Sequence, residues 1–278
     1  MTDVDIVGLG VWCESFSNWD EFCSVLEGGS GAAGSALKPE VIAPNERRRA
    51  PLSVKMAVEV MDQACRMAAL EPSGIATVFA SAIGDMQITD YMCRTLADAP
   101  RTISPTRFHN SVHNAATGYW SIATQSHSPA SAVSGYSNSA WIAFLDGAIQ
   151  AVEENIPVLV AVQEVAPPAP LQPVYEWTHP FAAAILLAPV GYCSSPIASV
   201  RLSVSGDSIE SPQLPQIPGI DLSGNFAARS ISLLAAIEKE RDAELRFPLS
   251  RYSSLSISIA PGCRTTRSGS WQRSPRQP

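Results

Sequence analysis

Charged residues are scarce in this sequence, at 16% of its 278 residues. Their balance is acidic, with a net charge of −7. The end of the chain, residues 261–278, holds four arginines and no acidic residue, so the body before it is more acidic than the whole. Such a body excludes a domain built to bind nucleic-acid phosphates. Because the basic end is rich in serine and proline, we expect a globular domain over 1–260 and a disordered tail over 261–278.

Three further features are missing. No uninterrupted apolar run approaches the roughly 20 residues that span a bilayer. The N-terminus lacks the basic stretch and apolar core of a signal peptide. The six cysteines are scattered without a C-x-x-C pair, which argues against a disulfide framework or a zinc site. We therefore expect a cytoplasmic protein with reduced thiols, and its 46% hydrophobic content is typical of a well-packed globular fold.

A cofactor site is not expected either. Gly8-Leu9-Gly10 follows a strand-like stretch, but a dinucleotide fingerprint needs a third glycine where this chain has Cys13. His109 and His113 are spaced like zinc ligands one helical turn apart, yet the acidic residue that accompanies such a pair is absent. We interpret these histidines as residues that orient the loop before a buried helix.

Strands and helices alternate along most of the chain. Two strands lack the alternation of a half-exposed sheet, which predicts a sheet covered by helices on both faces. We interpret Gly8-Leu9-Gly10 as the turn after the first strand, residues 30–49 as a loop and Ser53 as a helix N-cap. Predicted strands cover 4–9, 75–80, 130–133, 157–162, 181–188, 198–204 and 254–259, and predicted helices cover 18–26, 53–70, 85–97, 111–125, 137–153 and 227–240.

The segment Gly135-Tyr136-Ser137-Asn138-Ser139 lies between a predicted strand and a predicted helix, the arrangement of a nucleophile elbow. Backbone amides at such a helix N-terminus can hold an oxyanion. Tyr136 is a poor nucleophile because its phenol is bulky and has an ordinary pKa of about 10. It could plug or gate a site, or it could be a half-buried aromatic residue with a hydrogen-bonded tip.

Ser137 is an alternative nucleophile. The sequence Gly135-x-Ser137-x-Ser139 approaches the hydrolase elbow G-x-S-x-G but lacks its second glycine. Asp146 and His179 follow in the order that a hydrolase triad requires. An acyl-transfer enzyme or thioester hydrolase that uses Ser137 therefore stays open.

Longer phrases carry a resemblance to a known family. They are residues 8–31, 104–124, 134–139, 158–189 and 225–234, and within 104–124 the phrase SPT-x-F-x-NSVHNA-x-x-GYWSIAT is specific. The chain resembles the N-terminal half of β-ketoacyl synthases, and within them the short chain length factor type of aryl polyene and related polyketide clusters. The resemblance implies an α/β fold of the layered, thiolase-like kind, with a mixed sheet covered by helices.

The resemblance also implies a function. Tyr136 stands where active ketosynthases carry a cysteine, and no histidine follows His179 to serve as the catalytic pair of the second half. We expect a chain that is not an enzyme on its own, needs no metal or cofactor, and forms a heterodimer with a full-length β-ketoacyl synthase whose acyl tunnel it shapes. By resemblance, the strand at 130–134 lies at the dimer interface, and the chain contacts acyl carrier protein only indirectly. The residues expected to face the tunnel or the partner are Phe108, His109, Asn110, His113, Asn114, Tyr119, Trp120, Ser134, Gly135 and Tyr136.

Two points leave alternatives open. Residues 165–168 replace the acidic stretch expected after the fourth strand, although Glu164 remains. A homodimeric scaffold that binds acyl carrier protein without chemistry is another possibility, and the acidic body argues against direct docking of an acidic carrier.

Overall fold

The computed structural model describes residues 1–29, 31 and 37–262. One mixed sheet of eight strands runs through these residues in the order β3-β2-β4-β5-β1-β6-β8-β7. The strands are β1 (Thr2–Cys13), β2 (Ala76–Ala80), β3 (Ala130–Val133), β4 (Val158–Glu164), β5 (Phe181–Pro189), β6 (Ala198–Ser205), β7 (Ala243–Ser250) and β8 (Ser253–Pro261). The helices are α1 (Trp19–Leu26), α2 (Pro44–Arg49), α3 (Leu52–Ala68), α4 (Met86–Asp98), α5 (Pro105–His109), α6 (Ala115–Thr124), α7 (Ser139–Glu153) and α8 (Ile231–Glu238).

Helices cover both faces of the strands from β3 to β1, as the sequence predicts. β2 lies parallel to β3 and β4, whereas β5 runs antiparallel to both β4 and β1. One apolar core forms between the sheet and the helices α1, α7 and α8. A second core forms on the opposite face against α3 and α6. The central strands β4 and β5 are buried along nearly their whole length, which explains their lack of alternation.

The interpretation of Gly8-Leu9-Gly10 as a turn is wrong, because these residues continue β1 to Cys13. Both glycines face α3. A Cβ atom at Gly8 would lie 2.1 Å from the carbonyl oxygen of Ala64, and one at Gly10 would lie 2.0 Å from that of Val60. The glycines therefore allow the helix to pack directly on the strand.

Other boundaries also differ from the expectations. The predicted loop at 30–49 contains the helix α2, which carries the three consecutive arginines, and its residues 30 and 32–36 lie outside the described residues. The expected helix at 111–125 begins only at Ala115, after the separate short helix α5. Ser53 lies inside α3, and its hydroxyl donates a hydrogen bond to Asp85 (2.6 Å), which itself caps α4.

β6, β8 and β7 extend the sheet beyond β1, all by antiparallel pairing. The sequence analysis missed β7, whose apolar residues are mixed with Glu244, Arg246 and Pro248. The predicted disordered tail lies outside the described residues except for Pro261 and Gly262, and Pro261 ends β8. No helix within the described part of the chain has the length and apolar character to cross a bilayer.

Candidate functional site

The segment after β3 turns sharply into α7 at Tyr136. This residue has a φ of +52°, in the left-handed region that L-residues with a Cβ rarely adopt. A one-turn 3₁₀ helix over Tyr136–Asn138 then leads into α7. A Cβ at Gly135 would lie 2.1 Å from Cδ1 of Ile142, so a larger residue there would displace the end of that side chain. Strain of this kind is held only where the surroundings fix the backbone.

Hydrogen bonds fix the turn from two sides. The Ser139 hydroxyl accepts from the Gly135 amide (3.0 Å) and donates to the Tyr136 carbonyl (2.7 Å). The Asn138 side chain donates to the carbonyl of Leu249 in β7 (3.3 Å). Trp141 of α7 stacks on Phe247 of the same strand at 3.5 Å between ring centroids. The C-terminal strands thus hold the elbow in place.

The Tyr136 ring joins three other aromatic side chains, which we call the elbow cluster: Tyr136, Tyr175, Trp177 and Phe226. Tyr136 lies 4.8 Å from Phe226 and 6.5 Å from Tyr175 between centroids. Trp177 is buried behind them, 5.1 Å from Phe226, and its indole donates to the Val165 carbonyl (3.0 Å). Tyr136 remains 54% exposed. It therefore contacts the cluster on one side and solvent on the other.

Glu164, at the end of β4, is a buried carboxyl group with 1% exposure. One of its oxygens accepts from the Ala82 amide and from the Ser81 hydroxyl (3.1 Å). The other oxygen, Oε2, has no hydrogen-bond partner among the described residues. Burial raises the pKa of Glu164 to about 8, and the two hydrogen bonds only partly oppose this. The group is therefore protonated at neutral pH.

Ser81 and Ala82 connect Glu164 to two segments that the sequence analysis singled out. The Ser134 hydroxyl, just before the elbow, donates to the Ala82 carbonyl (3.0 Å). His113 Nε2 lies 2.9 Å from the Ser81 carbonyl, to which it donates. The structure thus brings Ser134, His113 and Glu164 to one junction.

The other expected site residues fall into two groups. Phe108, His109 and Asn114 are exposed on and after α5. Asn110 is buried and donates to the Arg49 carbonyl (3.1 Å), while Tyr119 and Trp120 pack in the core against α3. The roles expected of all these residues at a tunnel or a partner stay predictions.

Comparison with known proteins places this geometry in a family. Residues 19–219 match the model of the β-ketoacyl synthase N-terminal domain. The chain belongs to this family.

Solved ketosynthase structures share the fold. A complex of a ketosynthase with its chain length factor from Xenorhabdus doucetiae is 21% identical, with a TM-score of 0.66, and covers 93% of this chain and 99% of that one. The ishigamide ketosynthase/chain length factor is 14% identical, with a TM-score of 0.71 and coverage of 94% and 99%. A β-ketoacyl synthase from Burkholderia phymatum is 11% identical, with a TM-score of 0.69 and coverage of 94% and 100%. The comparison with curated proteins found no match.

These likenesses show that this ketosynthase-family chain has the thiolase-like layered fold of a ketosynthase N-terminal half. The predicted fold class is thereby confirmed. In the family resemblance described above, the elbow carries the nucleophilic cysteine, and the expectation that Tyr136 takes that position in this chain stays a prediction.

The sequence of this ketosynthase-family chain also suggests two other chemistries, a hydrolase triad and a metal site. A hydrolase triad with Ser137 would need a hydrogen bond between the Asp146 carboxylate and Nδ1 of His179. That nitrogen instead lies 2.7 Å from the Glu14 carboxylate, and Asp146 accepts a hydrogen bond from the Gln150 side chain (3.2 Å). For metal binding, residues 1–29, 31 and 37–262 contain no group of three or more His, Cys, Asp or Glu side chains that could hold an ion.

The sequence analysis missed most of the elbow surroundings. Tyr175, Phe226 and Leu249 come from three segments far from Tyr136 in sequence, and no local pattern links them to it. The sequence did contain a signal for Glu164. It is the one carboxylate in an otherwise uncharged strand, and a buried carboxylate is uncommon enough to indicate a special role.

Proposed function

We propose that this chain is a non-catalytic, ketosynthase-like subunit of the chain length factor type. In this proposal it pairs with an active β-ketoacyl synthase and shapes the acyl tunnel of the pair. The observation that carries the proposal is Tyr136, which holds the left-handed elbow conformation but has no thiol. A cysteine at a helix N-terminus gains nucleophilicity because its thiolate is stabilised there. A phenol at the same place does not become an acyl carrier.

His113 supports the same conclusion. Condensing chemistry needs an imidazole nitrogen free to polarise the thioester carbonyl. His113 donates its Nε2 proton to the Ser81 carbonyl, so this nitrogen already has a structural partner.

A surface beside the elbow is suited to a partner subunit. β3 is an edge strand, whose pairing among the described residues is with β2. Large apolar side chains are exposed in the neighbouring α5–α6 segment: Phe108 is 61% exposed, Val112 53% and Ile122 78%. An open strand edge beside exposed apolar groups favours pairing with another chain. In our proposal the partner ketosynthase covers this edge, and Phe108 extends towards its acyl tunnel.

The products belong, in this proposal, to aryl polyene, other polyketide or fatty-acid-like biosynthesis. Acyl carrier protein would dock mainly on the active partner, because this chain is itself acidic, at −7 net charge.

The test is co-expression with full-length ketosynthases from the same gene neighbourhood, followed by size-exclusion chromatography with light scattering. We expect a one-to-one complex. Ile122→Glu, on the exposed face of α6, should abolish it, whereas Val204→Glu, at a 54% exposed position in β6, should not. The proposal fails if no ketosynthase binds, or if both variants behave alike.

Two outcomes would favour the alternatives instead. A homodimer that excludes the ketosynthase would point to a scaffold. Hydrolysis of acyl thioesters by the chain alone, lost in Ser137→Ala, would point to the hydrolase and overturn the proposal.

A further inference from the structure

Glu164 lies where three segments of the chain meet, and its side chain connects them. The strands β2, β3 and β4 are parallel, so their carboxyl ends lie at one edge of the sheet. One oxygen of Glu164 accepts from the Ala82 amide and from the Ser81 hydroxyl (3.1 Å), both just after β2. Ser134, just after β3, donates to the Ala82 carbonyl (3.0 Å) and leads directly into the elbow. The carboxyl group thus reaches the elbow through a single residue, Ala82.

The turn after β2 depends on the same contacts. The Ser81 hydroxyl also accepts from the Gly84 amide (3.0 Å), and the Ser81 carbonyl accepts from His113 Nε2 (2.9 Å). Gly84 has a φ of +67°, a conformation that favours glycine. Because β2 ends at Ala80, side-chain hydrogen bonds, among them those to Glu164 and His113, hold this turn in place.

The interior around the carboxyl group does not solvate a charge. Glu164 is buried, and its Oε2 has no hydrogen-bond partner among the described residues. A neutral acid can remain in such a place, whereas a carboxylate with one unpaired oxygen is costly there. The ionised group gains water only if the segments around it move apart.

Charges on the adjoining segments do not offset this cost. Burial raises the pKa of Glu164, and the hydrogen bonds from Ala82 and Ser81 alone oppose it. Asp85 caps α4, and His179 is paired with Glu14. The titratable or charged side chains of the adjoining segments are Asp85, His113, Tyr136, His179 and Arg229. None of them contributes to the pKa shift of Glu164 as a counter-charge.

We propose that Glu164 is a pH-sensitive latch on the elbow. With its proton in place, the carboxyl group holds the segments after β2, β3 and β4 together. Loss of the proton opens this junction and releases the strained backbone at Tyr136. The latch belongs to this chain alone and does not depend on the partner proposed above, so failure of either proposal leaves the other standing.

The pH dependence of the opening follows from the two states of the carboxyl group. In the open junction Glu164 meets water and has its ordinary pKa of 4.5, whereas in the closed junction its pKa is about 8. Between these values each opening releases one proton, so the open fraction should rise about tenfold per pH unit. Above about pH 8 both states are ionised, and the rise should end.

Hydrogen exchange followed by mass spectrometry tests the latch on the full chain, at pH values from about 5.5 to 9 and with correction for the intrinsic effect of pH. We expect the protection of peptides over 81–85 and 134–139 to fall about tenfold per pH unit up to about pH 8 and then to level off. Peptides from β5 should stay better protected throughout, because the opening is local. Peptides from α2, which has no buried residue, should show no slope.

Variants assign the slope to Glu164. Glu164→Gln should give constant protection of the elbow, because glutamine does not ionise and can still accept from Ala82 and Ser81. Ser81→Ala removes a hydrogen bond that favours the charged form, so its slope should continue to higher pH. Glu154→Gln, at an exposed position after α7, is the matched control and should keep the wild-type slope. Elbow protection that does not change with pH in the wild type would overturn the proposal, and so would a slope that survives in Glu164→Gln.

Discussion

Replacement of Glu164 by glutamine should change how the stability of this protein depends on pH. The folded-state pKa of this carboxyl is about 8, against an ordinary value of 4.5. The folded state therefore holds the proton more tightly than the unfolded state. The stabilisation from this proton is fully present below pH 4.5 and is lost as the pH rises towards 8.

The size of the effect follows from the shift. Each pKa unit corresponds to about 1.4 kcal/mol, so the whole loss is about 5 kcal/mol, of which about 3 kcal/mol falls between pH 5.5 and 8.5. Glutamine is neutral throughout, and its carbonyl can still accept from Ala82 and Ser81. Glu164→Gln should therefore remove this part of the slope and be the more stable protein at pH 8.5.

The assay is urea unfolding followed by tryptophan fluorescence at several pH values from 5.5 to 8.5. Glu154→Gln, at an exposed position after α7, serves as the control and should keep the wild-type slope. If Glu164→Gln showed the same pH dependence as the wild type, the carboxyl would already be ionised in the folded protein. The reasoning from its burial would then be refuted.

Three further predictions address packing, catalysis and the tunnel. Gly8→Ala should lower the free energy of unfolding by about 3 kcal/mol or more, because the new Cβ would overlap the Ala64 carbonyl. Gly118→Ala, at an open position in α6, should raise the free energy of unfolding by about 0.5–1 kcal/mol. Chemical denaturation measures both changes, and only a small loss of stability in Gly8→Ala would contradict the close packing of β1 on α3. Tyr136→Cys alone should give no decarboxylative condensation in an assay with malonyl carrier protein, because no histidine follows His179 to polarise the thioester, and any product would contradict this reasoning. Phe108→Ala in the proposed complex should lengthen the products seen by mass spectrometry, and an unchanged distribution would remove Phe108 from the tunnel.

The layered fold could be predicted because its strongest signals are local. β4 and β5 are short, apolar and uninterrupted, and α7 follows the elbow at once. The glycines that allow a helix to pack closely on a strand were harder to interpret. A glycine pair at a strand end and one in a strand packed against a helix look alike in sequence, and the position of α3 decides between them.

The site could be predicted only in part, because only its local segment leaves a signal in the sequence. The elbow at Tyr136 is a continuous segment, so its place between a strand and a helix was visible. Its surroundings are not continuous. Leu249 reaches it from β7, which has the mixed composition of an edge strand, and Phe226 reaches it from the segment between β6 and α8.

The position of β1 has a consequence for how the protein is made. β1 pairs with β5 and β6, which begin about 170–185 residues after it ends, so during synthesis its edges are covered only after those residues have been made. At roughly 5–20 residues per second, this is a delay of about ten seconds or more. During that time the apolar strand with its two glycines is open to wrong pairing. Fast overexpression should therefore favour aggregates in which β1 is unpaired.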